Sequence, residues 1–458
     1  MDYTKHLAQF ATQLQYSDLP SPVIEKAREL ALHAWGVQLA GSTLPWSKAA
    51  YRYVLGEGPA ARSTVVNYGL KTSAVNAAFV NGTFGHGFEM DDNHAATGIK
   101  GGCVVVPAAL AIGEQKVSSG KEFILAMVAA YEVMIRIGLS VNPALYNGPH
   151  HPNGSCGPFG SAIAAGKLLR FDEKTMLHAI SIAAGHSAGL KEAPIAGRGH
   201  LKRLFGGMAS SSGVRSALLA GEGLTGPETM LEGAHGFCRA FGGATPDLSE
   251  LTAGLGAEWQ ILKVHYKIYA QDGFIQPTTE AMDRLVKQHG FGPDDIAEIR
   301  AGTNKVAHTR VIGVIREPKD LTSAQFSANF SLALFLVKGG AGFHEYTDEN
   351  LADPRVVALS KKIHTYVDEE IEAEYQESRP RGARITVRLN CGQTYSGCVP
   401  NLRAMTADDV NDKFRRLATV VVSAEQCERL ITTVRNLDAV RDVSTLVPLL
   451  SRQQGGVA

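Results

Sequence analysis

The chain has 458 residues, of which 45 are Lys or Arg and 45 are Asp or Glu, so its formal net charge is zero. This balance argues against nucleic acid as a partner, because binding phosphates requires a basic surplus. A local cationic pocket for a small anion stays open. The content of 20% charged and 45% apolar residues is typical of a folded soluble protein, and the length predicts two domains.

The N-terminus and the cysteines indicate the compartment. The first residues lack the charged-then-apolar pattern of a signal peptide, and no run approaches the ~18 apolar residues of a membrane span. The six cysteines are scattered without a CxxC pair, so no zinc site, redox pair or iron–sulfur ligand set is predicted. We therefore expect a cytoplasmic protein with reduced thiols, no membrane partner, no metal and no cofactor.

The chain up to about residue 262 has the periodicity of helices. Ser21-Pro22 predicts a helix start, and the apolar residues after it recur at helical spacing. Alanine and glycine are abundant in the following segments, which favours close packing of helices. Further helices are predicted over residues 71–84, 107–115, 120–136, 157–169, 173–188 and 209–219.

The pattern changes near Ile261, after which helices and strands alternate. A helix over 278–290 precedes a strand over 296–302, and the alternation over 383–389 predicts another strand with a hairpin return after Gly392. Both features are typical of an α+β module.

The tail is helical again, beginning at Thr406 as an N-cap before an acidic first turn. We therefore predict a mainly α protein with a large all-helical domain and an inserted, smaller α+β lid domain. The helical domain is predicted to comprise residues 1–262 and 402–458, and the lid domain residues 263–401. Residues 453–458 are expected to be frayed.

Residues 89–94 (EMDDNH), together with Lys100, form the first candidate site. Both flanks are apolar, and groups of this kind are costly to bury unless they serve a purpose. The plain alternative is a solvated loop in which Asp or Asn caps a helix. Lys100 could move protons if burial lowered its pKa, or it could only bind a carboxylate.

Residues 150–160 (HHPNGSCGPFG), before an apolar helix, form the second. Backbone N–H groups at a helix start attract anions, and glycine lets a ligand approach the backbone. The Gly-Lys-Ser/Thr of a P-loop is absent. Because histidine titrates near neutrality, His151 is a candidate proton carrier, although an ordinary surface histidine is the alternative.

Two lysines lie in further motifs. Lys202 is part of GHLKRLFGGMA, and Lys267 is part of YKIYAQ, which is followed by FIQP with Gln276. A solvated helix face and a strand-like linker are the respective alternatives. Lys267 would lie at the predicted domain junction, where ligand clefts are common.

These segments, taken in order, resemble the MmgE/PrpD family, which includes 2-methylcitrate dehydratase, cis-aconitate decarboxylase and iminodisuccinate epimerase. Residues 89–94 are similar to its D-F-D-D-T-H, residues 151–160 to H-P-T-G-T-C-G-x-F-G, and residues 405–418 to its C-terminal helix. Lys100 stands where the family usually has a catalytic His. Phe330 stands where A-x-F-S-x-x-Y has a Tyr, for which the candidate replacements are Tyr146, Tyr266 and Tyr269.

The resemblance implies a small di- or tricarboxylate substrate and a homodimer formed through the helical domain. On this resemblance the catalytic candidates are His151, Asp91, Lys100 and Lys202. The substrate-binding candidates are Asp92, Asn93, His94, Gly154, Ser155, Lys267 and Gln276.

The first expectation for the reaction is the dehydration of a 2-methylcitrate-like hydroxy acid, a cofactor-independent hydro-lyase reaction. Decarboxylation or epimerisation of a related polycarboxylate is the alternative, which the differences at Lys100 and Phe330 favour. A non-catalytic binding protein is the third interpretation, disfavoured because His151, Lys202 and Lys267 are all present.

Overall fold

The computed structural model describes residues 2–58, 60, 62–195, 199–378 and 380–452; the expected fraying of 453–458 falls outside this part. The N-terminal part is built mainly of helices. They are α1 (Tyr3–Gln13), α2 (Ser21–Gly41), α3 (Pro45–Gly56), α4 (Ala74–Gly85), α5 (Gly102–Lys116), α6 (Gly120–Ser140), α7 (Ala144–Asn147), α8 (Pro152–Leu168), α9 (Glu173–Ala184), α10 (Glu192–Ile195), α11 (Leu201–Gly221) and α12 (Phe237–Gly242).

Helix α6 lies at the centre of this part. Ser119 and Glu122 form a capping box at its start, which satisfies free backbone N–H groups there. Within the described chain, it is the one helix long and apolar enough to span a membrane. Of its most apolar 18-residue segment, 94% is buried inside the protein. Its Glu132 and Arg136 form an internal ion pair of 3.6 Å. It therefore packs as a core helix.

Four predicted helix starts are wrong, two of them in the candidate site. The helix expected from 107 begins at Gly102. The helix expected from 157 begins at Pro152, because Pro is favoured in a first turn. The helix expected from 209 begins at Leu201 and continues through Gly206 and Gly207. These earlier starts place His151 at the N-cap of α8 and Lys202 in the first turn of α11. The helix expected from 71 begins at Ala74, after the capping Ser73.

The prediction that the first part is all-helical is also wrong, because it contains short strands. Strand β1 (Ser63–Thr64) pairs with β2 (Lys71–Thr72), and β3 (Asp92–His94) pairs antiparallel with β4 (Val264–Tyr266). The second pairing joins residues far apart in sequence and sets Asp92 opposite Tyr266. It thereby brings the acidic loop beside the segment that carries Lys267.

The following part mixes helices with one four-stranded sheet. The sheet has the strand order β6-β5-β7-β8, with β5 and β6 parallel and the other pairs antiparallel. Its elements are α13 (Gln276–His289), β5 (Ile296–Thr303), α14 (Lys305–Ala307), α15 (Leu321–Gln325), α16 (Ala328–Lys338), α17 (Asp348–Leu351), α18 (Pro354–Ser360), β6 (Ile363–Val367), α19 (Glu369–Ser378), β7 (Ala383–Leu389) and β8 (Thr394–Val399). The predicted strands at 296–302 and 383–389 and the hairpin return are confirmed.

The chain then returns to the helical part through α20 (Ala407–Ala418) and α21 (Ala424–Arg435). Thr406 caps α20 as predicted, accepting a hydrogen bond from the backbone N–H of Asp409. Helix α20 packs on α2. One hydrophobic core is formed mainly by the N-terminal helices with α20 and α21, and a second mainly by the mixed part. The mainly α class is confirmed, while the boundaries at 262/263 and 401/402 and the lid role stay predictions.

Candidate active site

A cavity of about 770 Å³ lies where the two parts of the chain meet. Three predicted catalytic residues, Lys100, His151 and Lys202, line it together with Glu89. Residues beyond 270 supply a largely apolar contribution, including Phe274 and Phe326. The other apolar and polar lining residues from that part are Asp272, Thr309, Arg310, Val311, Val314 and Ile315.

The carboxylate of Glu89 gathers the cations of the site. Lys202 contacts it directly, Lys267 Nζ lies 2.6 Å from Oε2, and Arg203 donates to Oε1 at 3.2 Å. All four side chains are almost fully buried. Glu89 also has a φ of +53°, in the left-handed region that costs a non-glycine residue about 1–3 kcal/mol. The buried ion pairs hold the residue in this conformation.

Asp91 is the second acid of the cluster. Its Oδ1 lies 3.2 Å from Lys267 Nζ, and its Oδ2 lies 2.6 Å from His86 Nδ1. Burial raises the pKa of Asp91, but Lys267 and His86 outweigh it and lower the pKa below its ordinary value. Asp91 is therefore a carboxylate that orients His86, and it does not line the cavity itself.

Asp92 and His94, two predicted substrate ligands, are buried beside the cavity in strand β3. Asp92 accepts hydrogen bonds from the backbone N–H of Gly102 and from the hydroxyl of Tyr131, both at 2.9 Å. Burial and the neighbouring Asp91 raise the pKa of Asp92 to about 6. His94 pairs with Thr97 at 3.0 Å, and burial lowers its pKa to about 4. These contacts hold the acidic loop in place, and direct binding of substrate by Asp92 and His94 stays a prediction.

His151 presents an uncharged imidazole to the cavity. It is the N-cap of α8, and its backbone N–H donates to the carbonyl of Gly189 at 3.0 Å. Burial, with Lys100 and His86 nearby, holds the pKa of His151 well below its ordinary value. Its ring packs 5.0 Å from that of Phe205.

Lys100 is held at the cavity wall by local contacts. Its Nζ donates to the carbonyl of Gly98 at 2.7 Å, and its backbone N–H donates to the side chain of Asn153 at 2.8 Å. Burial and then Lys267 lower the pKa of Lys100. A lysine with a lowered pKa can either bind a carboxylate or transfer a proton.

Asn93 and Gln276 lie apart from the main cavity, on a smaller one of about 170 Å³ that Lys267 also lines. The Gln276 side chain already forms four hydrogen bonds with the backbone. Its Oε1 accepts from the N–H groups of Ile268 and Tyr269, and its Nε2 donates to the carbonyls of Tyr269 and Gln271. Asn93 pairs with His265 at 3.3 Å. Gln276 therefore holds the turn after Lys267, and substrate binding by these two amides stays a prediction.

Gly154 and Ser155 lie in the first turn of α8 but face the loop that follows α9. A Cβ on Gly154 would lie 2.6 Å from the carbonyl oxygen of Ala188, and the Ser155 hydroxyl donates to the same carbonyl at 3.1 Å. Neither residue is among those that line the cavity. Both fix the position of His151, and their predicted contact with substrate stays untested.

Comparisons with known proteins agree with this arrangement of motifs. The model of the MmgE/PrpD N-terminal domain matches residues 5–249, and that of the MmgE/PrpD C-terminal domain matches residues 269–439. The chain belongs to the MmgE/PrpD family. It is 29% identical to the cis-aconitate decarboxylase-like protein oryM of Aspergillus oryzae, over 98% of this chain and 97% of that protein.

Further members of the MmgE/PrpD family match over nearly the full length. The chain is 28% identical to a cis-aconitate decarboxylase of Aspergillus terreus, covering 98% of this chain and 96% of the relative. It is 25% identical to the human cis-aconitate decarboxylase, covering 95% and 92% respectively. The family resemblance inferred from the motifs is thus confirmed.

Two of the positions that differ from the MmgE/PrpD pattern, Lys100 and Phe330, lie in different places. Lys100 lines the cavity, so this difference bears on the chemistry. Phe330 is buried in the second core against Tyr346, with ring centroids 6.2 Å apart, and does not line the cavity. Of the three tyrosines considered as replacements, Tyr146 is the one that lines the cavity, whereas the hydroxyl of Tyr266 lies 3.2 Å from Glu29.

Sequence reasoning missed several residues of the site. Glu89 was recognised within the motif but not chosen, although its place next to three lysine or arginine partners makes it central. Arg203 follows Lys202 directly, and its guanidinium reaches Gln325 of α15 across the junction. Arg310 lies in a π-helical turn (His308–Ile312) and Asp272 in a loop, and neither carried a pattern signal.

Proposed function

We propose that the chain is a lyase that removes one carboxylate of a small unsaturated polycarboxylate, such as cis-aconitate, as carbon dioxide. The observation that carries the proposal is the cavity that combines Lys100, Lys202 and an uncharged His151 with an apolar contribution from the second part. The relatives named as cis-aconitate decarboxylases support it. Dehydration, the first expectation from sequence, has no such support.

The charges of the cavity suit a polyanion. Lys100 and Lys202 are joined by Lys191 and Arg310, while Glu89, Asp272 and Glu192 are the acids among the lining residues. Glu89 contacts Lys202, so a bound carboxylate competes with an internal one. A polyanion gains most in such a site, because several cations act on it in a largely water-excluded space.

The cations matter most in the step in which negative charge builds up on a remaining carboxylate of the substrate. When the carbon–carbon bond to the departing carboxylate breaks, its electron pair forms a new double bond, and the former double-bond electrons move to the carbon beside another carboxylate. Lys202 and Lys100 are placed to stabilise the negative charge on that carboxylate. One proton added at the adjacent carbon completes the product, so one proton is consumed for each carbon dioxide released.

His151 is the proposed carrier of that proton. The pKa of His151 lies well below its ordinary value, because of burial and of Lys100 and His86. A polyanion beside the ring favours the imidazolium, since an opposite charge raises the pKa of a histidine. We therefore expect substrate binding to take up one proton, which His151 then gives to carbon.

Proton NMR in D2O tests the reaction. The full-length protein is mixed in turn with cis-aconitate, 2-methylcitrate, citrate and iminodisuccinate. The expected result is a new vinyl signal from cis-aconitate with release of carbon dioxide. A vinyl product from a hydroxy acid without carbon dioxide would establish a dehydratase instead, and deuterium exchange at an α carbon without a new compound would establish an epimerase.

Paired lysine variants test the charge argument. Lys202→Met is expected to lower kcat/KM by about 100-fold or more, as expected for a group that stabilises transition-state charge. Lys361→Met, at an exposed lysine of the second part, is the matched control and should leave kcat/KM unchanged. Equal activity of the two variants would contradict the proposed role of Lys202.

A further inference from the structure

A second imidazole lies beside His151. His86 ends α4 and is fully buried, and its ring centroid lies 5.7 Å from that of His151 with the planes at 67°. Among the described residues, neither His86 Nε2 nor His151 Nδ1 has a hydrogen-bond partner. A buried polar atom left without a partner destabilises the fold, so two such nitrogens on adjacent rings require an explanation.

Asp91 determines which nitrogen of His86 carries the proton. Because Asp91 is a carboxylate, its Oδ2 can only accept, so His86 Nδ1 at 2.6 Å donates. Burial and Lys202 lower the pKa of His86 to about 3, and the ring is uncharged at neutral pH. An uncharged imidazole with its proton on Nδ1 has a bare Nε2, which is a hydrogen-bond acceptor.

We propose that His86 is a positioning residue for His151, whose Nε2 accepts a hydrogen bond from the ring of His151, directly or through one water, when a substrate converts His151 to the imidazolium. Asp91 keeps His86 in the orientation and tautomer that this requires. The inference rests on the proposed role of His151 as proton carrier, and it deepens the proposed function by assigning the second imidazole.

The charges around the pair make such an acceptor useful. Lys100 and Lys191 both oppose a positive charge on His151, and Lys202 and Lys100 oppose one on His86. Asp91 is the anion that favours the charged form of both rings. Removing the acceptor is therefore expected to lower the pKa of His151 in the complex. Substrate binding, which depends on the lysines, should change much less.

Cys103 offers a different explanation for the same cluster. Ligand-type atoms of His86, Asp91 and Cys103 lie within 4.8 Å of one another, a spacing that a metal ion could occupy. The thiol instead donates to the carbonyl of Lys100 at 3.2 Å, and burial raises its pKa well above the ordinary value. A bound metal ion is thus an outcome that the test must recognise.

The tautomer of His86 is tested without any turnover. The full-length protein is labelled with ¹⁵N-histidine, and the spectrum of His86→Asn assigns the His86 signals. An uncharged ring protonated on Nδ1, unchanged by EDTA, is the expected result. A ring protonated on Nε2, a charged ring, or signals that shift on metal removal would overturn the proposal.

Two variants then test the function of the acceptor. An Asn amide can take the place of Nδ1 and keep the hydrogen bond to Asp91, whereas a Gln amide reaches towards Nε2. His86→Asn is expected to lower kcat by about 100-fold, at the low end of acid–base contributions, with KM within about threefold. Because kcat requires the imidazolium of His151, kcat should fall as the pH rises through the pKa of His151. In His86→Asn this fall should occur at a lower pH than in the wild type. His86→Gln should restore part of kcat.

Failure of this proposal is distinguishable from failure of the proposed function. If the wild type converts none of the four acids, the proposed reaction fails, while the tautomer of His86 still decides the geometry. If the wild type is a decarboxylase and His86→Asn keeps the kcat and pH profile of the wild type, the positioning role is wrong and the reaction stands. Equal kcat losses in the Asn and Gln variants, with an unshifted pH profile, would indicate a purely structural histidine and overturn the proposal.

Discussion

Buried acids next to the cavity differ in what they contribute at the scale of single residues. Asp91 is held as a carboxylate by Lys267 and His86, while Asp92, one residue later, has no cation among its hydrogen-bond partners. The pKa of Asp92 is raised to about 6 by burial and by Asp91. Asp92 therefore favours the folded state only in its protonated form.

The pH dependence of stability follows from that shift. With a folded pKa near 6 and an unfolded pKa near 4, the contribution of Asp92 is fully present below about pH 4 and is lost as the pH rises through about 6. Asp92→Asn keeps a neutral side chain, so its free energy of unfolding relative to the wild type should rise by about 2–3 kcal/mol between pH 4 and pH 7. Urea unfolding at several pH values measures this difference, and a pH-independent difference would contradict it.

The sequence identified which residues form the site better than it identified which of their side chains lie next to each other. His151, Lys202 and Lys100 were found because histidine and lysine in apolar, glycine-rich segments are recognisable, and all three line the cavity. His86 was given no role, because Asp91 was predicted to be catalytic in its own right and local sequence does not show that the two side chains pair. Gln276 was assigned to the substrate, whereas its amide is used by the backbone. Local sequence shows which groups are present but does not show which of them have already paired.

At the scale of elements, Lys413 of α20 joins the two segments that form the cluster. Its Nζ donates to the carbonyls of Met90 and Lys267, both at 2.7 Å, and contacts His33 Nε2 at 2.8 Å. The first carbonyl lies between Glu89 and Asp91, and the second belongs to the lysine that pairs with both acids. This one side chain therefore sets the distance between the acidic loop and strand β4.

Lys413→Met removes these hydrogen bonds while keeping the length of the side chain. We expect a loss of stability of about 1–3 kcal/mol per buried group left unpaired and a fall in kcat of at least tenfold. Lys167→Met is the matched control, because Lys167 donates to the carbonyls of Thr12 and Leu14, at the end of α1. The control should lose stability without losing kcat per folded molecule. Urea titration gives the folded fraction of each variant. Equal kcat values per folded molecule in the two variants would refute the link between Lys413 and the active site.

Close packing of α11 on α4 depends on glycine. A Cβ on Gly207 would lie 2.2 Å from the carbonyl oxygen of Phe79, and one on Gly82 would lie 2.8 Å from Gly207 Cα. Gly207→Ala would push apart the helices that carry Lys202 and His86, and should cost about 1–3 kcal/mol or more. Gly221→Ala, at the end of the same helix, meets only the Phe171 ring at 3.2 Å. The free energy of unfolding, measured by denaturant titration, should fall for Gly207→Ala and stay within about 1 kcal/mol of the wild type for Gly221→Ala.

The elements themselves were largely predictable, and their long-range pairing was not. Strand β7 and the cap at Thr406 follow local rules of alternation and capping, and both were found at the predicted places. Strands β3 and β4 contain three residues each and are separated by most of the helical part. Strands this short show no reliable alternation, so the pairing that brings Lys267 to Asp91 left no signal in the sequence.

At the scale of the whole molecule, the outer face of α11 carries an apolar stripe that the exposed Arg215 interrupts. Leu201, Met208 and Leu219 recur at helical spacing and are 53%, 44% and 38% exposed, respectively. The same helix directs Lys202 and Arg203 inward to Glu89. An exposed apolar stripe on a helix is unusual unless a partner covers it, and the homodimer predicted through the helical part offers a second copy as that partner.

We expect assembly through this face to be coupled to activity. Light scattering is expected to give twice the chain mass of 48.9 kDa for the wild type and the single mass for Met208→Glu combined with Leu219→Glu. Leu262→Glu, at a residue 45% exposed outside the stripe, is the matched control and should stay dimeric. Because the stripe and Lys202 belong to the same helix, the monomeric variant should also lose kcat, whereas the control should keep it. A wild type of monomer mass would remove the dimer, and a monomeric variant with full kcat would show that α11 holds Lys202 in place without a partner.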